Sequence, residues 1–346
     1  MSSNITCEYL NIPLKSPVIV GACPLTLVPE SLRQMVDCGA GAIVLPSIFQ
    51  EQLDEQAENS KVPHSAKSVN ENLQQDGYNG GPDKYLASIQ EIKRLLSVPV
   101  IASMNGYDAG DWLNFAKRIE ASGADALELN LQPLMASPEQ AAEEIESKLC
   151  EIVHTVCESV SIPVAVKMTR HFTSVANVAH RVRLAGANGV VLFAHEPQWE
   201  VTIDRLAWTT HWELTPVDSV GPTIAGIVHA KAGGLDLSIA ASGGIRTAED
   251  AIKAMIAGAD VVMITSEVYR VGPAAIRKMV HGIERYLEAG RIDSLAQFQQ
   301  SRPVPELRTQ RMMRFDYLDP LTRSAEYIDP TPVVERQTGD RYGHQD

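Results

Sequence analysis

A chain of 346 residues with 45% hydrophobic side chains can bury one large core, and its net charge of −13 argues against a nucleic acid or an anionic membrane as partner, leaving a small molecule as the expected ligand. No apolar run approaches the roughly 18 residues of a membrane span, and the opening MSSNITCEYL has neither a basic flank nor an apolar signal core, so a cytoplasmic location is expected. Five scattered cysteines without a CxxC pair and nine dispersed histidines without HExxH lack the usual zinc spacings, so reduced thiols and no metal site are expected.

Residues 17–22 (PVIVGA) predict a first strand, and Pro29 suits the first position of a helix running to Cys38. A second strand covers Ala42 to Leu45. The polar stretch from Gln50 to Gly81 is too long for a plain connection and reads as a functional cover or a disordered segment. A helix from Pro82 to Leu96 leads into a third strand, Pro99 to Met104. A helix from Gly110 to Ala121 precedes the fourth strand, Ala126 to Leu131, and an acidic helix spans Pro138 to Val160. The fifth strand is Pro163 to Lys167, followed by a helix from Ser174 to Leu184 and a sixth strand, Gly189 to Ala194.

The segment Glu196 to Val220, with Trp199, Trp208 and Trp212, breaks the rhythm as an insertion, either a small hairpin or packing over a rim. After a helix from Gly221 to Ala232, residues 238–266 read as one β-turn-α-β unit. Its strands are Ser238 to Ala241 and Val261 to Thr265, its turn is Ser242-Gly243-Gly244, and Thr247 can cap its helix with Asp250 at the third position. A last helix, Gly272 to Ala289, closes the series. Eight apolar strands alternating with helices predict an α/β fold, a (β/α)8 TIM barrel, over residues 1–300. It carries a long loop after strand two, the insertion after strand six and an extension, 301–346, that packs on the barrel, serves an oligomer contact or is disordered. An open doubly wound sheet is the alternative, but its GxGxxG after the first strand is absent.

A barrel puts its active face at the carboxyl ends of the strands. Ser47, Ser103 and Asn105 stand there, followed by Asn130 and Gln132, then Lys167 and His195. Ser242, Gly243 and Gly244 end the seventh strand, and Thr265 and Ser266 the eighth. Paired glycines let backbone N–H groups approach an anion, and the hydroxyls add donors, so these two ends read as a phosphate grip; a plain tight turn is the alternative. Lys167 can supply a charge to an anionic ring or phosphate, form an imine, or snorkel to solvent. Asn130 suits reading a planar heterocycle or ending a strand.

Together SPVIVGA, GYNGGPDKYL, LELNL, PVAVKM, ASGGIRTAEDA and VMITSEVYRVGP resemble, in order and spacing, the dihydroorotate dehydrogenase family of FMN-dependent TIM-barrel flavoproteins, over about Leu10 to Phe298. The resemblance implies FMN as cofactor and a homodimer. Gly243, Gly244, Thr265 and Ser266 would hold the phosphate, with Ser242 at the turn. Lys167, Asn130 and Ser47 would meet the ring or ribityl chain, Ala22 and Cys23 would lie beneath the flavin, and Ser103 and Asn105 complete the cofactor set.

Three positions depart from the family pattern. A Thr-Lys-Ser-like triplet is expected after strand two, and the chain has Leu45-Pro46-Ser47. The family's base after strand four is cysteine or serine, and here the position holds Pro133; its second substrate asparagine is Met135. Proline has neither charge nor a proton to move, and losing a positioned base removes about two to four powers of ten in rate, so dihydroorotate oxidation is not expected. The readings left are an FMN-binding protein inactive in that reaction or an FMN-dependent reductase of another small molecule, with Tyr78 one source of a proton. A flavin-free phosphate-binding aldolase or isomerase using Lys167, or a ligand-binding pseudoenzyme acting through its tail, are further alternatives.

Overall fold

Short runs of Val, Ile, Leu and Ala bounded by Gly, Pro and Asp make strands that must be covered on both faces. The computed structural model describes residues 4–57, 78–108, 110–133, 137–216, 219–232, 234–303 and 310–322, and it meets that demand by closing eight strands into one ring. Two compact units divide the chain, residues 1–305 and 306–346. The first opens on an antiparallel hairpin of β1 (Cys7–Tyr9) and β2 (Ile12–Leu14). The ring strands β3 (Val18–Val20), β4 (Ala42–Phe49), β5 (Val100–Gly106), β6 (Ala126–Leu131), β7 (Val164–Met168) and β8 (Gly189–Leu192) follow. A second hairpin, β9 (Gln198–Thr202) with β10 (Ala207–His211), comes before β11 (Ser238–Ser242) and β12 (Val261–Ile264).

Ring order is β3-β4-β5-β6-β7-β8-β11-β12, closed and parallel throughout. A helix follows each strand, from Pro29–Asp37 after β3 to Ala274–Ala289 after β12. The chain is thus the expected (β/α)8 barrel. The expected cap is present as well: the Asp250 N–H donates to Thr247 Oγ1 at 3.1 Å, and Asp250 Oδ2 accepts from the Thr247 N–H at 2.9 Å.

Inside the ring, Ile19, Val44, Ile101, Val191 and Val261 pack with Tyr9 and Leu10 of the first hairpin. The Leu10 N–H donates to Ser238 Oγ at 3.2 Å, at the first residue of β11, and its side chain lies against Gly189 at the start of β8. The hairpin therefore closes the amino ends of the strands. The carboxyl ends are left as the mouth, where barrel chemistry sits.

Several boundaries differ from the sequence reading. The second ring strand continues past Leu45 to Phe49, with its register against β5 shifting between Val44 and Ser47, because Pro46 cannot donate to the ladder and is accommodated at that irregularity. Gln50–Ala57, expected to be loop, is helical, and residues 58–77 of that stretch lie outside the described residues. The last barrel helix begins at Ala274 rather than Gly272 and is preceded by a short helix, Ser266–Val271. The insertion after β8 is a hairpin, and its Trp199 and Trp208 are 74% and 80% exposed rather than packed over a rim. In the second unit Gln310–Thr322 is helical. No helix of the described residues is long and apolar enough to cross a membrane.

Candidate functional site

Side chains two apart on a strand share a face, so parallel register turns single residues into rows. Across β4, β5, β6 and β7 one row reads Phe49, Asn105, Asn130 and Lys167. Two residues deeper, Ser47, Ser103, Glu128 and Ala165 make a second. The upper row gives the mouth two amides and an ammonium side by side. The lower row supports it: Ser47 Oγ and Ser103 Oγ hydrogen-bond at 2.8 Å, and Lys167 Nζ reaches down to Glu128 Oε1 at 3.2 Å.

Above these rows lies a cavity of about 500 Å³. Ala22, Cys23, Ser47, Asn105, Asn130 and Lys167 line it, and Ser242, Gly243, Gly244, Thr265 and Ser266 line it from β11 and β12. Ser103 does not. It is fully buried, because Ser47 covers its hydroxyl and Tyr85 Oη accepts from its N–H at 2.9 Å. Gln132 and His195 also face the cavity, whereas Pro133 lies on the wall of a separate 180 Å³ pocket with Leu131, Tyr107 and Lys148. Met135 falls outside the described residues.

The glycine turn owes its shape to positive φ at both residues, 95° and 78°, a region that L side chains rarely occupy. Its carbonyls are tied back: Thr223 Oγ1 donates to the carbonyl oxygens of Ser242 at 3.1 Å and Gly243 at 2.9 Å. A Cβ on Gly244 would run into the backbone of Ser219 and Val220, so the two residues leading into the helix Gly221–Ala232 pack directly on the turn. Ser266, expected as a free hydroxyl at a strand end, instead begins a short helix, and its Oγ lies 3.0 Å from both the N–H and the Oγ1 of Thr215.

Electrostatically the cavity is nearly neutral. Lys167, with 11% of its side chain exposed, is compensated by Glu128 at 1%. Glu128 Oε2 and the Tyr9 hydroxyl below it are buried with no hydrogen-bond partner among the described residues, which is costly in a low-dielectric interior. Burial pushes the Cys23 thiol up, although the Tyr269 hydroxyl hydrogen-bonds it and the Lys167 charge pulls the other way. The Tyr269 phenol is raised by burial and by the nearby Cys23. The Tyr78 phenol is pushed up to about 12, chiefly by burial, while Ser47 hydrogen-bonds its oxygen. His195 is lowered by burial and by Arg170 and Lys167. Its Nε2 lies 2.6 Å from the Glu213 carbonyl, which can only accept, so that nitrogen carries the proton.

Sequence reading missed several of these residues. Phe49 enters the upper row only because β4 runs on past Pro46. Trp212 reaches the cavity through the return of the hairpin and packs edge-on against His195 with ring centroids 4.6 Å apart. Asn79 of the GYNGG stretch donates to the Ser47 carbonyl at 2.7 Å and accepts from Gln52 at 2.9 Å, fixing that stretch to the end of β4. The GYNGG motif was a signal for this contact, but its partner 32 residues away was not.

A family model described as Dihydroorotate dehydrogenase matches residues 220–287, the stretch that carries β11, β12 and the glycine turn. The chain is 30% identical over 299 residues to the protein of Methanocella arvoryzae named Dihydroorotate dehydrogenase B (NAD(+)), catalytic subunit, covering 82% of this chain and 93% of that one. Proteins of the same name match from Pyrococcus furiosus, 28% identical over 296 residues (82% and 94% covered), and from Pyrococcus abyssi, 27% over 287 (81% and 93%).

Proposed function

The chain belongs to the dihydroorotate dehydrogenase family, and from that premise we propose that it is an FMN-binding oxidoreductase acting on a small molecule other than dihydroorotate. The observation that carries this reading is the row Asn105, Asn130, Lys167 in the same cavity as the Gly243-Gly244 turn. The donor set suits FMN: backbone N–H groups and hydroxyls for a phosphate at one end, and amides with a cation for the polar edge of a planar ring at the other. The positive φ of Gly243 and Gly244 at the cavity wall is in keeping with backbone approach to an anion. In this reading Gly243, Gly244 and Thr265 bind the phosphate, and Lys167, Asn130, Asn105 and Ser47 orient the ring above Ala22 and Cys23.

When bound, the flavin supplies hydride acceptance or donation. The residues do the rest. Lys167, held by Glu128, places positive charge where the ring gathers negative charge on reduction. Neither Pro46 nor Pro133 can hold or move a proton, and Pro133 lines the other pocket, so deprotonation of a substrate carbon from that position has no agent. Tyr78, kept protonated by its raised pKa, is a donor suited to protonating a substrate as it is reduced. An imine on Lys167 is the weaker reading, because imine formation needs a neutral amine and Nζ is engaged by a carboxylate.

The test is a visible spectrum of the purified chain, after adding FMN and again after adding dihydroorotate. We expect bound flavin that dithionite bleaches and dihydroorotate leaves oxidised. A protein that takes up no FMN, or whose flavin dihydroorotate reduces, would overturn the reading.

A further inference from the structure

β4 and β8 stand four places apart in a closed ring of eight strands, so what rises from their carboxyl ends faces across the mouth. From β4 comes Phe49, packed against Tyr78 with ring centroids 5.5 Å apart. After β8 comes His195, packed edge-on against Trp212. Both pairs line the same cavity. Trp212 is 62% exposed although it borders a cavity, and a large aromatic left open at a mouth offers a flat face on which a ring can stack.

Charge narrows the ligand further. Among the described residues that line the cavity, Lys167 carries a formal charge and Glu128 compensates it, while the Nε2–H of His195 is given to a carbonyl. A carboxylate brought between the two aromatic pairs would lose its hydration with no free cation among those residues to offset the loss. A carbonyl or amide oxygen would meet the Tyr78 hydroxyl, which lines the cavity and can donate to it.

We infer that the second ligand of this site is an uncharged planar conjugated carbonyl or amide compound, stacked between the Trp212–His195 pair and the Phe49–Tyr78 pair and hydrogen-bonded by Tyr78. The inference rests on the flavin reading, because it assigns the space left beside the ring.

Benzamide and benzoate share ring and size and differ in charge, so they are the probes. Both are titrated into the full chain after FMN loading has been verified by its absorbance, and the shift of the flavin visible spectrum is followed. Benzamide is expected to bind at least about tenfold more tightly than benzoate, and Trp212→Ala to weaken benzamide about three- to tenfold. Tyr78→Phe should weaken it separately while keeping the ring stack. Equal or tighter binding of benzoate, no binding of either probe up to about 10 mM, or benzamide affinity indifferent to both substitutions would overturn the inference and leave the flavin reading standing. Failure to load FMN would instead overturn the flavin reading, and this inference with it.

Discussion

Lys167 and Glu128 show how little of a site one residue specifies. A lysine that ends an apolar strand stands out in any sequence, but the carboxylate that holds it sits 39 positions earlier in LELNL, where alternation alone does not reveal which face meets the barrel interior. Register decides it: Glu128 pairs with Ala165, two residues below Lys167 on the same inward face. Removing one partner of a buried pair leaves the other uncompensated, which costs more than the pair contributes. Glu128→Gln keeps the shape and removes the charge, and because Lys167 retains some solvent contact the expected loss is on the order of 1–3 kcal/mol in urea unfolding. An unchanged midpoint would mean that solvent already screens the lysine.

The unit from β11 through the helix Ala248–Ala257 to β12 was legible almost throughout, because each of its parts carries a local signal: an apolar run, paired glycines, a Thr-x-x-Asp cap. Those signals make separable predictions. Thr247→Ala removes the cap and should cost about 1 kcal/mol in unfolding experiments. Gly244→Ala should cost more, about 2–4 kcal/mol, since it adds a Cβ at φ 78° and drives it into Ser219 and Val220. Equal losses from the two would argue that the turn relaxes freely. Elements without a local signal were the ones misread. The helix Ser266–Val271 has six residues, too few to show a period, and β4 hides its last three residues behind a proline that ordinarily ends a strand.

Over the whole chain, the first unit holds the closed ring, both hairpins and the cavity. It also includes the helix Leu295–Ser301, with Leu295 and Phe298 buried and the Leu295 N–H donating to the Asn4 carbonyl at 2.8 Å. A chain ending at Pro305 should therefore melt cooperatively within about 3 °C of the full-length protein; a broad or strongly lowered transition in calorimetry would show that 306–346 is part of the folding unit.

Composition and periodicity were enough for the barrel, because covering apolar strands on both faces with helices between them leaves few architectures, and local motifs were enough for the turn, the cap and the family. Closure of the ring decided the rest. Which residues share a row, that Ser103 lies behind Ser47, that Pro133 looks into a different pocket, and that Trp212 and Phe49 line one cavity all depend on strand register and on how the ring closes. Those relations join residues far apart in the chain, and no local pattern of side chains encodes them.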